Sequence, residues 1–123
     1  MQKILVVDDA STVRMYFRTI LESEGFEVDE AVNGLEALEK AYSKEYDLFL
    51  VDINMPQMDG YSFVRKLREG KDLKQVPVII VSTEAEEKDR IQALQSGANF
   101  YMVKPVKPEE LKKYVRILIG VLP

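Results

Sequence analysis

The stretch LFLVDINMPQMDG, residues 48–60, joins an apolar run to a carboxylate, an amide, a proline and an Asp-Gly pair. Residues 48–51 form a short, continuous apolar run of the kind found in parallel strands that are covered on both faces. Asp52 follows this run directly, at the point where the strand should end. The stretch therefore predicts a carboxylate at the carboxyl end of a buried strand, which is where open α/β sheets bind their ligands.

Similar apolar runs alternate with amphipathic segments along the chain. Strands are predicted at residues 4–7, 28–32, 48–51, 78–81 and 100–103, with the second at an edge because it mixes acids with apolar residues. Helices are predicted at residues 11–25, 35–42, 61–67, 86–95 and 108–119, and residues 121–123 are interpreted as the frayed end of the last helix. This alternation predicts an α/β fold with a doubly wound, five-stranded parallel sheet.

Composition limits the chemistry that this chain can carry. Its 123 residues suit one domain, residues 1–123, and include no cysteine and no histidine, which excludes disulfides, zinc sites, thiol nucleophiles and imidazole bases from within the chain. The net charge is −4 and no basic block forms, so nucleic-acid binding is not expected. No signal peptide or membrane-spanning segment is evident, which favours a soluble protein of the cytoplasm.

Polar side chains follow four of the five predicted strands. The carboxyl ends of parallel strands meet at one edge of the sheet. If the strand order is 2-1-3-4-5, the first and third strands are neighbours, and the polar residues converge. These residues are Asp8 and Asp9, Asp52, Ser82 with Thr83, and Lys104.

Three carboxylates near one lysine leave an excess of negative charge, which a divalent cation would relieve. Because the donors are oxygens only, a hard cation such as Mg²⁺ is indicated. A lysine and a hydroxyl group opposite such a metal can hold a phosphoryl group, and an aspartate beside a metal can accept one as an acyl phosphate.

Each of these motifs also has a purely structural interpretation. Asp8 and Asp9 suit a cap on the first helix, Asp59-Gly60 a turn, and Lys104 a solvated lysine before a bend. Ser82 suits a helix cap and Tyr101 a core residue. Their joint placement at one edge is what favours a functional site.

Together the motifs resemble the receiver domain of two-component response regulators, closest to the single-domain chemotaxis type. The resemblance covers the whole chain, and the flavodoxin-like (βα)5 fold with strand order 2-1-3-4-5 is taken from it. Its carriers are Val6-Val7-Asp8-Asp9 with Ser11-Thr12, Asp52-Ile53-Asn54-Met55-Pro56, Met58-Asp59-Gly60, Val81-Ser82, Gly97-Ala98, Tyr101 and Val103-Lys104-Pro105.

The resemblance implies a role for each of the three aspartates at the sheet edge and for Asn54. Asp52 matches the phosphoryl acceptor. Asp9 and Asp52 would ligate Mg²⁺ by carboxylate, Asn54 by its backbone carbonyl, and Asp8 largely through water.

It also implies a phosphoryl clamp and a switch. Ser82 and Lys104 match the groups that hold the phosphoryl oxygens, and the Lys104–Pro105 bond is cis in the family. Tyr101 matches the aromatic residue that swings inward on activation. Thr83 departs from the usual alanine or glycine, and we hypothesise that it narrows access to Asp52 or hinders the inward Tyr101 rotamer.

The phosphoryl donor must come from elsewhere because this chain has no histidine. The resemblance implies a sensor histidine kinase as donor and Mg²⁺ as cofactor. It also implies a monomer that signals through the face of the fourth helix, fifth strand and fifth helix. The target would be another protein, such as the flagellar motor switch or another signalling protein. The domain would catalyse only its own phosphorylation and slow autodephosphorylation.

Two alternatives come from other classes of protein. A haloacid-dehalogenase-like phosphatase also uses Mg²⁺ and an aspartate at a strand end, but it expects a second aspartate at the position of Asn54. A flavodoxin-like electron carrier shares the fold but needs a phosphate-binding loop after the first strand, where Asp8 and Asp9 would repel a phosphate.

Overall fold

Strands and helices alternate strictly in the computed structural model, which describes residues 1–70, 72, 73 and 75–120. The strands are β1 (Lys3–Val7), β2 (Glu27–Ala31), β3 (Leu48–Asp52), β4 (Val78–Ser82) and β5 (Phe100–Val103). The helices are α1 (Ser11–Ser23), α2 (Gly34–Ser43), α3 (Gly60–Glu69), α4 (Glu87–Ser96) and α5 (Pro108–Ile119). The predicted frayed end at residues 121–123 lies outside the described residues. Among these helices, none combines the length and the apolar character needed to cross a membrane.

The five strands form one parallel sheet in the order β2-β1-β3-β4-β5, which confirms the predicted fold class and strand order. The register aligns the carboxyl ends of the central strands. Val7 lies beside Val51, and Asp52 lies beside Val81. The residues that follow β1 therefore emerge level with the end of β3, which places their side chains at a common edge.

The core consists of two apolar layers, one on each face of the sheet. On one face, Phe49 and Val51 pack with Phe63 of α3. On the other face, Leu48 and Leu50 pack with the apolar side of α1 and α5. Every residue of β3 is buried, as the continuous apolar run predicted.

Local signals set the ends of several elements. The Asn33 side chain accepts a hydrogen bond from the Glu36 amide at 2.8 Å and caps α2. Gly97 ends α4 with a φ of 113°, a left-handed conformation that favours glycine.

The strand β2 begins and ends one residue earlier than predicted. Glu27 pairs with Lys3 of β1, and the Val32 amide donates to the Glu36 side chain instead of continuing the sheet.

Candidate functional site

Three carboxylates gather at the carboxyl edge of the sheet. Asp8, Asp9 and Asp52 each offer an oxygen, and these oxygens lie within 4.8 Å of one another. Asp8 and Asp52 are buried, whereas Asp9 is exposed. The cluster is thus open to solvent on one side, and its oxygen-only donors suit a hard cation such as Mg²⁺.

The turn after β1 holds the first of these carboxylates, Asp8, in place. The Asp8 amide donates to the Ala31 carbonyl of β2 at 3.1 Å, and Asp8 Oδ1 accepts from the Ala10 amide at 2.9 Å. Ala10 is the N-cap residue of α1 and makes no side-chain cap. The interpretation of Asp8 and Asp9 as a helix cap is therefore wrong, and their carboxylates remain turned to the sheet edge.

Lys104 brings a positive charge to the acidic cluster. Its Nζ lies 2.9 Å from Asp52 Oδ1 and 3.1 Å from Asp8 Oδ2, and its amide donates to the Ser82 carbonyl at 2.7 Å. Burial opposes the charged form, but the bonds to Asp52 and Asp8 raise the pKa of the Lys104 ammonium. The alternative of a solvated lysine is excluded by this pairing. The bond to Pro105 is cis, as the resemblance implied.

Asp52 lies in an environment that disfavours its charge. Burial, and then the nearby charges of Asp8 and Asp9, raise the pKa of the Asp52 carboxyl, while Lys104 acts in the opposite direction. Because these effects disfavour the ionised form of Asp52, a metal ion bound beside it would stabilise that form. The geometry and the electrostatics therefore both fit a cation beside Asp52.

The loop from β3 to α3 packs closely against the backbone of Asp52. The Gly60 amide donates to the Ile53 carbonyl at 2.9 Å, and a Cβ at Gly60 would collide with the Asp52 carbonyl. Asp59 is the N-cap residue of α3 and accepts from the Ser62 amide, so Asp59-Gly60 starts a helix rather than a simple turn. The close approach of Gly60 to the Asp52 carbonyl was not predicted from the sequence, although a glycine directly after a capping aspartate is a signal for it.

Asn54 lies in the same loop, directly after β3, and is exposed. Within the part of the chain that the structure describes, no hydrogen bond joins Asn54 to the three carboxylates. Its role as a carbonyl ligand stays a prediction.

Ser82 and Tyr101 meet at the segment that leads into α4. Ser82 is buried, and its Oγ accepts a hydrogen bond from the Glu84 amide at 3.0 Å. The Tyr101 hydroxyl donates to the Glu84 carbonyl at 2.6 Å, and only 6% of Tyr101 is exposed. Burial raises the pKa of the Tyr101 phenol. Tyr101 therefore points inward in this structure, and Ser82 closes a turn rather than capping α4, whose N-cap residue is Glu86.

Thr83 lies on the opposite face of the sheet from Tyr101. Tyr101 packs in the apolar layer that contains Ile80, whereas exposed Thr83 lines an apolar groove of about 400 Å³ with Tyr16 and Val106. The inward tyrosine and Thr83 thus coexist without sharing a space. The hypothesis that Thr83 hinders the inward rotamer is corrected by this arrangement, and its effect on access to Asp52 stays a prediction.

Arg14 is a residue that no motif in the sequence marked for the site. Its NH1 donates to the Asp8 carbonyl at 2.8 Å, and its Nε donates to Glu30 at 2.7 Å. An arginine in the first turn of a helix that starts beside an acidic motif is the sequence signal for such a contact.

Comparison with known proteins gives one consistent result. Residues 4–116 match the family described as response regulator receiver domain. Transcriptional regulatory protein SrrA of Staphylococcus aureus (strain NCTC 8325 / PS 47) is 41% identical over 117 residues, which are 95% of this chain and 47% of that protein. The chain therefore spans about half the length of the curated relatives it matches.

Solved structures are similar over nearly the whole chain. The chemotaxis protein CheY4 of Vibrio cholerae is 35% identical with a TM-score of 0.91, and the match covers 96% of this chain and 98% of that one. The receiver domain of the sensor histidine kinase PA1611 of Pseudomonas aeruginosa PAO1 is 34% identical with a TM-score of 0.90, covering 97% and 98%. That second structure has a magnesium ion coordinated in its active-site cleft.

Proposed function

This chain belongs to the response regulator receiver domain family, and from that premise we propose that it is a switch that is activated by phosphorylation of Asp52. Receiver domains accept phosphoryl groups from histidine kinases, so the chain is a signalling switch and not an enzyme that acts on an external substrate. The single observation that carries the proposal is the cluster of Asp8, Asp9 and Asp52 with Lys104 bonded across it.

The proposed transfer uses groups that are already close together. An Asp52 carboxylate oxygen forms a bond to phosphorus as the bond between phosphorus and the donor histidine nitrogen breaks. The histidine nitrogen leaves with the electron pair of that bond. Lys104, 2.9 Å from Asp52, stabilises the negative charge on the transferred group. Ser82, buried at the end of the neighbouring strand, is the proposed second contact for the phosphoryl oxygens.

The proposed metal is Mg²⁺. Asp9 and Asp52 would hold it by carboxylate, Asn54 by its backbone carbonyl and Asp8 largely through water. When bound, Mg²⁺ neutralises charge on the phosphoryl oxygens during the transfer. The raised pKa of Asp52 supports this assignment, because a cation at the cluster would offset the repulsion among the carboxylates.

The proposed output surface consists of α4, β5 and α5. It presents exposed apolar side chains at Ile91, Leu94 and Val103, which suit contact with a protein target. The hydrogen bond between Tyr101 and the Glu84 carbonyl supports coupling between this surface and the site, because residue 84 leads from Ser82 into α4. The target is proposed to be a protein, such as the flagellar motor switch or another signalling protein.

The remaining parts of the proposal follow the family. We take residues 1–123 to form one receiver domain that acts as a monomer in the cytoplasm, receives its phosphoryl group from a sensor histidine kinase and loses it by slow autodephosphorylation. Direct binding of nucleic acid by this chain is not part of the proposal.

The sequence and the family match both argue against the two alternative functions, a phosphatase and a flavin-binding carrier. The haloacid-dehalogenase-like phosphatase is not supported, because the family match is to a receiver domain and an amide, Asn54, stands two residues after Asp52. A flavin-binding carrier is disfavoured by the acidic turn after β1, which would repel the phosphate of a flavin.

Phosphorylation by a small donor tests the proposal. The wild-type chain and Asp52→Asn are incubated with phosphoramidate and Mg²⁺, and intact masses are compared with and without EDTA. We expect one phosphoryl group on the wild type, none with EDTA, and none on the variant. A wild-type chain that stays unmodified with Mg²⁺, or a variant that is modified equally, would refute the proposal.

A further inference from the structure

Arg14 connects the acidic turn to the neighbouring strand β2. Its NH1 donates to the Asp8 carbonyl at 2.8 Å and its Nε to Glu30 Oε1 at 2.7 Å, and only 14% of its side chain is exposed. The planar guanidinium therefore makes two bonds in different directions at once. Arg14 is thus a bridge between β2 and the turn that carries Asp8 and Asp9.

Glu30 holds this bridge in position. It accepts hydrogen bonds from Arg14 and from Arg18 NH1, and the Lys40 ammonium donates to its backbone carbonyl. Burial acts to raise the pKa of Glu30, but the bonds from the two arginines outweigh it and lower that pKa. Glu30 therefore stays ionised at neutral pH and anchors Arg14.

The carbonyl that Arg14 contacts lies between the two aspartates of the acidic turn. It belongs to the peptide group that joins Asp8 to Asp9, so its orientation sets the direction in which the Asp9 side chain leaves the backbone. The Asp8 amide is already bonded to Ala31, and Asp8 Oδ1 to the Ala10 amide. Those two bonds hold the preceding peptide group and the Asp8 side chain, whereas the bond from Arg14 NH1 acts directly on the carbonyl between Asp8 and Asp9.

We propose that Arg14 is a positioning residue for the metal site, because it fixes the peptide group between Asp8 and Asp9 and so keeps both carboxylates aimed at the ion. The inference rests on the proposed use of this cluster for Mg²⁺. It assigns to Arg14 no contact with the ion or with the phosphoryl group. Groups that orient a metal ligand typically contribute a factor of about 10 to 100 in metal affinity.

Charge and positioning predict opposite effects of removing Arg14. Loss of a positive charge close to three carboxylates makes the local potential more negative, so a purely electrostatic role predicts tighter Mg²⁺ binding. Loss of a positioning contact predicts weaker binding. The sign of the change therefore separates the two roles.

Arg18 offers a matched control on the same helix. It also pairs with Glu30, but its NH2 donates to the Val28 carbonyl and not to the acidic turn. The substitutions Arg14→Met and Arg18→Met remove the same charge and one partner of the same glutamate. They differ in that Arg14→Met removes the contact with the Asp8 carbonyl, whereas Arg18→Met removes a second ion pair, with Glu22.

The test measures Mg²⁺ dissociation constants by calorimetry for the full chain of the wild type and both variants. We expect binding to Arg14→Met to be roughly tenfold weaker and binding to Arg18→Met to stay within about twofold of the wild type. In phosphoramidate assays, Arg14→Met should need correspondingly more Mg²⁺ but reach the wild-type rate at saturation. A merely structural loss would lower that maximum instead.

Equal or tighter Mg²⁺ binding by Arg14→Met, or an equal loss in Arg18→Met, would overturn the positioning role while leaving the proposed function intact. A wild-type chain that fails to bind Mg²⁺ would overturn both. If Arg14→Met does not fold, Arg14→Lys replaces it. Lysine keeps the positive charge but cannot bond Glu30 and the Asp8 carbonyl at the same time, so Mg²⁺ should bind this variant more weakly than the wild type. Mg²⁺ binding equal to that of the wild type would overturn the inference.

Discussion

Lys104 Nζ lies 2.9 Å from Asp52 Oδ1 and so joins the end of β5 to the end of β3 across the intervening strand β4. The same ammonium lies 3.1 Å from Asp8 Oδ2. One lysine therefore balances part of the charge of three clustered carboxylates. Because a metal ion would bind at the same carboxylates, the lysine and the ion would influence each other directly.

Replacing Lys104 by methionine should destabilise the metal-free protein by about 2 kcal/mol, less than the loss for a fully buried pair because the cluster is open to water. Mg²⁺ should then stabilise the variant more than it stabilises the wild type, because no ammonium competes for Asp52 and Asp8. Urea unfolding with and without Mg²⁺ measures both effects. Lys88→Met, which removes the same charge from an exposed site, is the control. Unchanged stability of Lys104→Met without metal would contradict the pairing.

Asp52→Asn should raise the midpoint temperature of the metal-free protein by a few degrees at pH 7. The folded-state pKa of Asp52 lies above its ordinary value of 3.8, so its ionised form costs stability at neutral pH. This cost falls as the pH drops through the raised pKa and is absent below the ordinary value. Thermal unfolding in EDTA at pH 7 and at lower pH should show the gap closing. A variant less stable than the wild type at pH 7 would count against the raised pKa.

Tyr101→Phe and Thr83→Ala should differ in their effects on the core around Tyr101. Tyr101→Phe removes the bond to the Glu84 carbonyl and should cost about 1 kcal/mol. Thr83→Ala should stay within about 0.5 kcal/mol of the wild type, because Thr83 is exposed on the other face of the sheet. The methyl resonances of Ala93 and Ala98, which pack in the same layer as Tyr101, report the difference by NMR. Equal methyl shifts in both variants would revive the idea that Thr83 crowds Tyr101.

Gly60→Ala should destabilise the protein by about 1–3 kcal/mol, because its Cβ would meet the Asp52 carbonyl. It should also weaken Mg²⁺ binding, since the Asp52 backbone must move. Gly70→Ala is the matched control at the other end of α3: its Cβ would lie 3.5 Å from the nearest atom, the Leu67 carbonyl oxygen, and its φ of −78° suits alanine. Denaturant unfolding compares the two variants. Equal stability would show that Gly60 does not need to be a glycine.

Much of the fold was predictable from local pattern. The continuous apolar run of β3 and its terminal Asp52 identified a buried parallel strand and a polar edge, because side chains of this kind need cover on both faces. The strand order was not deducible from these patterns and came from the family resemblance. Edge strand β2 was displaced by one residue, because its pairing with β1 depends on contacts between distant parts of the chain.

The site was less completely predictable. Alternation along β4 ends at Ser82, so the strand pattern did not fix the face on which the next residue, Thr83, lies. The reach of Arg14 to the Asp8 carbonyl and the close approach of Gly60 to Asp52 depend on how helices pack against the sheet edge. The periodic pattern of apolar residues predicts which residues face the core. It does not predict which backbone atom a given side chain will contact.

The position of the phosphoryl group among the three clustered carboxylates decides whether Asp52 is the acceptor. The wild-type chain is phosphorylated with phosphoramidate and Mg²⁺, the acyl phosphate is reduced with borohydride, and the reduced residue is identified by tandem mass spectrometry. We expect reduction at Asp52 alone, in a reaction that EDTA abolishes. Reduction at Asp8 or Asp9, or at Asp52 to the same extent with EDTA, would contradict it.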